Sequence, residues 1–380
     1  MIQSISKPIE KEKSWLKLTK QLSQEFAERA THYDRNDQFV NENYEELKRN
    51  HFFSALIPEE SGGEGVSFDT MCRILKIISQ SCSSTALALS MHQHLIAANV
   101  WKYTHGKGGD QMLKKVAREN LILVSTGARD WLESNGELEK VEGGYLFSAQ
   151  KHFASQASIG DIMVTSGRFA DEKGKHVYHF PVPVQSDGVE VLDNWYTLGM
   201  RGTGSHSIIL RDVFIPEESI VLKRPAGKYH PFWNVVLTVA LPLIMSVYLG
   251  IAEKAGEIAI NKVRKSGLSG SGVVNLVGEL NNLLETARIT WRDMIRLTNN
   301  FDFEPDQSIG HKMLTRKTLA AKACVEVVHK SMELTGGQSY FRSMELERLF
   351  RDVQAGIYHP LPEKQQQEFA ARYLVDGSFD

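Results

Sequence analysis

The chain has 380 residues, of which 42% are hydrophobic and 24% are charged, and its formal net charge at pH 7 is -2. This length allows two or three domains with a sizeable core, and the balanced charge argues against a nucleic-acid-binding protein. The three cysteines, Cys72, Cys82 and Cys324, lack the spacing of metal ligands, so we expect buried free thiols in a cytoplasmic protein without a metal site.

The first third of the chain has the pattern of an all-α domain. Apolar residues recur three and four positions apart from residue 15 to about residue 118, with an interruption at residues 58–63. The N-terminus is charged and has no apolar segment, so we predict no signal peptide. One apolar helix carries His92 and His94, which lie about 200° apart around a helix axis, so only one of the two can face a given pocket.

Short runs rich in β-branched and aromatic residues follow, between residues 121 and 213. Turn sequences at residues 142–144 and 186–188 separate these runs. The pattern predicts a compact antiparallel β domain.

The helical pattern returns at Trp233 and continues to about Phe369. Residues 229–252 contain no Asp, Glu, Lys or Arg and are long enough to cross a bilayer, which takes about 20 residues. Prolines and polar residues such as Pro242 and Ser246 lie within this segment, and no basic cluster follows it. We therefore favour a helix buried in a bundle over a membrane span.

Four motifs, in this order, carry a resemblance to a known family. They are Leu-Gly-Met-Arg-Gly-Thr-Gly-Ser-His at residues 198–206, Asp-Val-Phe-Ile-Pro-Glu-Glu at residues 212–218, the pair Gly336-Gly337 and the pair Arg351-Asp352. Together with the α, β, α order, they make the chain resemble the acyl-CoA dehydrogenase superfamily. The resemblance implies an α+β fold with an N-terminal α-helical domain at residues 1–119, a central antiparallel β domain at residues 120–223 and a C-terminal four-helix bundle at residues 224–380.

The resemblance also implies a flavin held between the β domain and the C-terminal bundle. The positions that match the ring-binding residues of the family are Ser125, Gly127, Ala128, Phe153, Ala154 and Ser155. An aromatic side chain can cover the face of the ring, while backbone amides and a hydroxyl bind its polar edge. Without the resemblance, Phe153 would be interpreted as a core residue.

The positions that match the phosphate-binding residues are Arg264, Gly336, Gly337 and Arg342. The family has a Gln shortly before the paired glycines, near the pyrophosphate of FAD. This chain has Glu333 there, and its carboxylate would repel the pyrophosphate. FMN, with its single phosphate, is therefore slightly favoured over FAD as the cofactor.

The positions at which the family has its catalytic base hold other residues. The usual Glu follows the Arg-Asp pair by about seven or eight residues, where this chain has His359-Pro360, and Glu363 follows four residues later. The alternative position, on the helix that includes residues 237–243, has no acidic residue. The arginine that pairs with the CoA phosphates on that helix is also missing, so a CoA thioester lacks both a base and an anchor.

These differences favour a branch of the superfamily that resembles dibenzothiophene monooxygenase. The branch implies a monooxygenase that takes reduced flavin from a separate flavin reductase and oxidises a small organic substrate with O2, through a C4a-hydroperoxide. By the same resemblance, His359, His92 and Ser155 are the predicted catalytic residues, and the protein is a homodimer or homotetramer without a membrane partner. Two alternatives remain open: an acyl-CoA dehydrogenase or oxidase whose base is Glu363 or His359, and a catalytically degenerate flavin-binding or scaffold protein.

Overall fold

The computed structural model describes residues 2–127 and 132–379. Its N-terminal part is helical, as predicted, and the helices are α1 (Ile2–Arg35), α2 (Asn41–Arg49), α3 (Phe68–Ser81), α4 (Ser83–Thr104) and α5 (Asp110–Glu119). Helix α3 begins where the Ser67 side chain accepts a hydrogen bond from the Thr70 amide. Helix α4 is buried on nearly every side, which matches its composition of Ala, Leu and Met.

Among the described residues, eight strands form one sheet in the middle of the chain. They are β1 (Leu123–Ser125), β2 (Glu137–Val141), β3 (Gly144–Ala154), β4 (Ile162–Asp171), β5 (Gly174–Pro183), β6 (Val189–Val191), β7 (His206–Pro216) and β8 (Leu222–Pro225). The strand order is β6-β7-β3-β2-β4-β5-β8, and β1 pairs with β4. The predicted turn at residues 142–144 joins β2 to β3, with Gly143 at a φ of 75°.

The sheet differs from the prediction in one respect, because it is mixed rather than wholly antiparallel. Both β1 and β2 pair in parallel with β4, while the other neighbouring strands are antiparallel. The long connection from β1 through β2 and β3 lets the chain return to β4 in the direction of β1. Strand β1 thereby joins the sheet next to helix α4.

The C-terminal part contains α6 (Phe232–Ser266), α7 (Ser271–Thr298), α8 (Gln307–Thr335), α9 (Glu345–Val353) and α10 (Glu363–Asp376). Helix α6 is long and apolar enough to cross a membrane, but 94% of its most apolar window is buried inside the protein. Its polar residues have partners there: the Trp291 indole donates to Ser246 Oγ at 2.8 Å, and Asn234 Nδ2 donates to the Pro305 carbonyl at 3.0 Å. The prediction of a helix buried in a bundle is therefore supported by its contacts.

Two apolar cores hold these layers together. One core joins residues of α1 to α5 with residues of α6 to α10, and the other lies within the sheet, around Phe147 and Phe180. The sheet and the helices meet at the C-terminal ends of β1 and β3, beside α4. This junction is where the predicted ring-binding residues lie.

The motifs that carried the resemblance connect the helices to the loop before β7 through hydrogen bonds and an ion pair. Asp352 is buried, and its carboxylate accepts a hydrogen bond from the Met200 amide at 2.6 Å and another from the Ser83 hydroxyl. The neighbouring Arg351 guanidinium forms two hydrogen bonds with the Asp34 carboxylate, at 2.8 and 2.6 Å. These contacts tie α9 to the motif at residues 198–206 and to helices α1 and α4.

Gly199 explains why this motif needs a glycine. A Cβ atom built on Gly199 would lie 2.4 Å from the carbonyl carbon and oxygen of Arg351. The backbone of the motif therefore packs directly on the backbone of α9, which a larger residue would prevent.

Candidate active site

The centre of the candidate site is a contact between helix α4 and the end of strand β1. His94 Nδ1 lies 3.3 Å from the Ser90 carbonyl, and His94 Nε2 lies 3.1 Å from Ser125 Oγ. A carbonyl can only accept, so Nδ1 carries the proton and Nε2 accepts from the Ser125 hydroxyl. Burial lowers the pKa of His94 to about 4, so the imidazole is neutral at physiological pH.

His92, two residues earlier, is fully buried and also contacts strand β1. Its Nε2 donates to the Phe53 carbonyl at 2.8 Å, and its Nδ1 accepts from the Leu123 amide at 3.0 Å. Both ring nitrogens are thus bound to backbone atoms, and burial lowers the pKa of His92 to about 4. These contacts do not support the catalytic role predicted for His92, because they leave no ring nitrogen for a ligand. They fix β1 to α4, and His94 is the histidine that contacts a predicted ring-binding residue.

His359 follows α9 and reaches the same region from the C-terminal helices. Its ring centroid lies 5.5 Å from that of Tyr248 on α6. Burial, with smaller contributions from Lys317 and His94, lowers the pKa of His359 to about 3. With pKa values lowered to about 4 and about 3, the His94 and His359 imidazoles are both neutral at physiological pH.

Lys317 holds the backbone around His359. Its ammonium group donates to the His359 carbonyl at 2.6 Å and to the Leu361 carbonyl at 3.1 Å. The residue is only 1% exposed, and burial lowers the pKa of the ammonium group to about 8. Sequence reasoning missed Lys317, although it lies on the apolar stripe of α8 with Met313 and Ala320.

Phe153 and Ser155 lie at the end of β3, at the predicted ring-binding position. A bulge between Lys151 and Ala154 and a left-handed φ of 58° turn the Phe153 ring outwards, so that 58% of the residue is exposed. Ser155 is buried, and its hydroxyl lies 2.7 Å from that of Ser205. An exposed aromatic face beside a buried hydroxyl suits a flat heterocyclic ring with a polar edge.

The other predicted ring-binding residues are placed as follows. Ala154 is buried at the end of β3, and Gly127 follows β1 with a φ of 90°. Ala128 lies outside the described residues. Ser125, Ser155 and the Gly127 backbone supply polar groups near the ends of β1 and β3.

The predicted phosphate-binding residues are not brought to this junction within one chain. Gly336 and Gly337 follow α8 and are exposed, and Lys262 near Arg264 contacts the Thr335 carbonyl at the same end of the bundle. Lys317, which holds His359, is near the other end of α8, and the helix rise of about 1.5 Å per residue separates Lys317 from Thr335 by about 27 Å. This separation exceeds the length of FMN.

Arg264 and Arg342 have other contacts in the chain. Arg264 is exposed and donates to Asn261 Oδ1 at 3.1 Å. Arg342 is exposed, and its carbonyl accepts from Arg35 on α1 at 3.3 Å. Within the part of the chain that the structure describes, neither side chain forms a hydrogen bond with a predicted ring-binding residue.

Glu363, the alternative base, lies apart from the histidines. It begins α10, and its carboxylate accepts from the Lys322 ammonium at 2.6 Å. The hydrogen bond from Lys322 lowers the pKa of Glu363. A carboxylate that is paired and made more acidic is a poor base, so this geometry does not support the dehydrogenase alternative.

Comparison with known proteins defines the class of this protein, a flavin-dependent oxidoreductase. Residues 10–120 match the family model for the N-terminal domain of acyl-CoA dehydrogenase, and residues 243–362 match the model for its C-terminal domain. The two models together cover more than half of the chain. The protein belongs to the acyl-CoA dehydrogenase superfamily, as the motifs predicted, and the predicted order of helical, sheet and helical parts is confirmed.

Relatives include both dehydrogenases and oxygenases. The putative acyl-CoA dehydrogenase YdbM of Bacillus subtilis is 23% identical, over 92% of this chain and 94% of its own. The oxygenase component of p-hydroxyphenylacetate 3-hydroxylase from Acinetobacter baumannii is 25% identical, over 90% of this chain and 83% of its own. The crystal structure of FMN-bound TdsC from Paenibacillus sp. A11-2 superposes with a TM-score of 0.81, at 18% identity, over 97% of this chain and 98% of that one.

Proposed function

We propose that the protein is a flavin-dependent monooxygenase that inserts oxygen from O2 into a small organic substrate. The observation that carries this proposal is the pair of neutral histidines, the buried His94 beside Ser125 and the half-buried His359. A dehydrogenase needs a base whose pKa lies near the operating pH to remove a proton next to a carbonyl, whereas the pKa values of His94 and His359 are lowered to about 4 and about 3. Here the two imidazoles stand at the junction, and Glu363 is engaged elsewhere by Lys322.

The residues at the junction fit a flavin. Phe153 can cover one face of the ring, Ser155 and the Gly127 backbone can bind its polar edge, and Ser125 is held in place by His94. When bound, reduced flavin supplies the two electrons with which O2 is activated. Within the described residues, the Tyr248 hydroxyl is buried without a hydrogen-bond partner, beside His359. This free donor is a further group that a bound molecule can satisfy.

The contribution of His94 and His359 follows from their protonation. The neutral His359 imidazole can donate a hydrogen bond to an oxygen atom without bringing a positive charge into the site. Both ring nitrogens of His94 are engaged by Ser90 and Ser125, so His94 acts by holding Ser125 in place. With its pKa lowered to about 3, His359 is a weak base for dehydrogenation but remains neutral and able to donate a hydrogen bond.

FMN is the favoured cofactor. Its support is the FMN bound to TdsC, a protein of the same fold, and the Glu333 carboxylate before the paired glycines. The position of Gly336, Gly337 and Arg264, about 27 Å along α8 from the His359 region, supports a homo-oligomer in which a second copy supplies phosphate contacts.

The remaining partners follow from the same proposal. The oxygenase component of p-hydroxyphenylacetate 3-hydroxylase is one part of a larger system, as its name states. We propose likewise that a separate reductase supplies reduced flavin to this protein. We place the protein in the cytoplasm, since Cys72, Cys82 and Cys324 are buried free thiols.

The test is a rapid-mixing experiment. Purified protein is incubated anaerobically with reduced FMN and mixed with O2, and both O2 consumption and the absorbance of oxidised FMN are followed. We expect the oxidised-flavin absorbance to return well after O2 is consumed, and the delay to shorten at least tenfold in His94→Asn and His359→Asn. His51→Asn is the matched control, because His51 is exposed and Asn tolerates its left-handed φ of 59°.

Three other outcomes contradict the proposal in different ways. Immediate return of oxidised FMN, with no delay in the unmodified protein, argues against oxygenation. Anaerobic bleaching of bound flavin by an acyl-CoA identifies a dehydrogenase. Failure to take up either FMN or FAD supports the scaffold alternative.

A further inference from the structure

Ser155 is the first member of a chain of buried hydroxyl groups. Its oxygen lies 2.7 Å from Ser205 Oγ, which lies 2.8 Å from Thr203 Oγ1. Thr203 Oγ1 in turn lies 2.8 Å from the carbonyl oxygen of Met200. All three hydroxyl residues are at most 6% exposed.

The series of hydroxyl groups ends at the Met200 carbonyl oxygen, which several hydrogen bonds hold in place. The Met200 carbonyl also accepts from the Trp195 indole and from the Thr203 amide, both at 3.1 Å. The Met200 amide donates to the buried Asp352 carboxylate. The carbonyl oxygen is thus fixed in position by contacts from several sides.

The direction of every hydrogen bond in the chain follows from counting protons. Two oxygens at 2.8 Å attract each other only if a proton lies between them. The Met200 carbonyl has none, so Thr203 donates to it. Thr203 then accepts from Ser205, and Ser205, whose one proton is used, accepts from Ser155.

This order determines what Ser155 offers to a ligand. Its single proton points along the chain towards Ser205, so its remaining lone pairs are what face the junction. Among the described residues, Ser205 is the one hydrogen-bond partner of the Ser155 hydroxyl. Ser155 is therefore held as a hydrogen-bond acceptor.

We propose that Thr203 and Ser205 are positioning residues that keep Ser155 an acceptor and so make the site prefer reduced over oxidised flavin. This inference rests on the proposed function, in which Ser155 binds the polar edge of the flavin ring, and it takes N5 as the atom of that edge that Ser155 faces. Reduced flavin carries a hydrogen on N5 and can donate to Ser155. Oxidised flavin has a lone pair on N5, which would face the lone pairs of Ser155.

The size of the preference follows from the difference between a made and an unmade hydrogen bond. Leaving a buried polar atom unpaired changes an equilibrium by about tenfold or more. We therefore expect the hydroxyl chain to raise the ratio of the Kd for oxidised FMN to the Kd for reduced FMN by about tenfold. For a two-electron couple this tenfold change raises the midpoint potential of bound FMN by about 30 mV.

The test measures both Kd values anaerobically, by titration of the purified protein with oxidised and with reduced FMN. Thr203→Val keeps the shape of the side chain and removes the hydroxyl, and Ser205→Ala breaks the chain one step closer to Ser155. Thr203→Ser restores the hydroxyl. The matched control is Ser207→Ala, since Ser207 is a buried serine near Ser205 whose hydroxyl contacts His152 and Asn194 instead.

We expect the ratio to fall about tenfold in Thr203→Val and Ser205→Ala and to stay unchanged in Thr203→Ser and Ser207→Ala. A ratio unchanged in both breaking variants, with FMN still bound, overturns this inference and leaves the proposed function intact. Equal Kd values for oxidised and reduced FMN in the unmodified protein would also overturn this inference and leave the proposed function intact. Absence of FMN binding in either state overturns the inference and the proposed function together.

Discussion

Replacing Lys317 by Met tests how strongly a buried ammonium group destabilises the folded protein. Lys317 is 1% exposed, and burial lowers its pKa from the ordinary 10.5 to about 8. Between these two values the unfolded chain keeps the lysine proton while the folded protein releases it. The free energy of unfolding therefore rises with pH in this window. The whole shift is equivalent to about 3 kcal/mol, of which about 2 kcal/mol is gained by pH ~9.5.

The assay is urea unfolding of the unmodified protein and of Lys317→Met from pH ~6.5 to pH ~9.5. Groups common to both proteins cancel in the difference between their unfolding free energies. We expect this difference to stay constant up to pH ~7 and then to move in favour of the unmodified protein by about 2 kcal/mol. The offset at neutral pH has no bearing on the test. A difference that stays constant over the whole range would show that the ammonium is not destabilised by burial.

Three further predictions concern the structural contacts around the site. Gly199→Ala should destabilise the protein by more than about 3 kcal/mol in thermal melts, because its Cβ would lie 2.4 Å from the Arg351 backbone. Gly337→Ala is the control and should be neutral, because, outside its own turn of chain, no atom of the described residues lies within 4 Å of its added Cβ. A double-mutant cycle of Asp34→Asn and Arg351→Lys should give a coupling energy of about 2 kcal/mol, since both side chains are only 11% exposed and share two hydrogen bonds; additive effects would contradict this. The free energy of unfolding should fall as the pH is lowered from 6.5 to about 4, because in this range His92 binds a proton only in the unfolded chain. In urea unfolding at several pH values, His92→Gln should reduce the slope of this free energy against pH by up to about 1.4 kcal/mol per pH unit.

The order of helical and sheet parts could be predicted because it rests on local periodicity and on motifs in sequence order. The pairing of β1 and β2 with β4 could not, since alternation within a strand does not say which distant strand lies beside it or in which direction. The parallel pairs are non-local and arise from the packing of β1 against α4.

The choice between His92 and His94 shows a different limit. The 200° between them predicts that only one of the two faces a given pocket, and in the structure both contact strand β1, at Leu123 and at Ser125. The helix that carries them is buried on nearly all sides, so it has no polar face that would orient it. The contacts with β1 distinguish the roles: the Leu123 amide binds His92, and the Ser125 hydroxyl binds His94. The helical pattern of the sequence does not show these contacts.

For Lys317 the sequence did carry a signal. Met313, Leu314, Ala320 and Ala321 recur at helical spacing and are buried, and Lys317 occupies the same stripe. A lysine on an apolar stripe needs acceptors inside the protein. The identity of those acceptors, two backbone carbonyls more than 40 residues away, could not be read from the pattern.

The shared core of the two helical parts affects how the chain is made. Helix α6 covers α3, where Ser79 donates to the Val247 carbonyl at 2.6 Å, and a Cβ on Gly250 would lie 2.5 Å from the Lys76 carbonyl. During synthesis α3 and α4 leave the ribosome before α6, so their apolar faces stay exposed to solvent while the sheet is translated. The sheet is thus inserted in sequence between two helical parts that share one core. A chain that terminates after the sheet would expose the apolar faces of α3 and α4, and we expect it to aggregate or to bind chaperones rather than to fold.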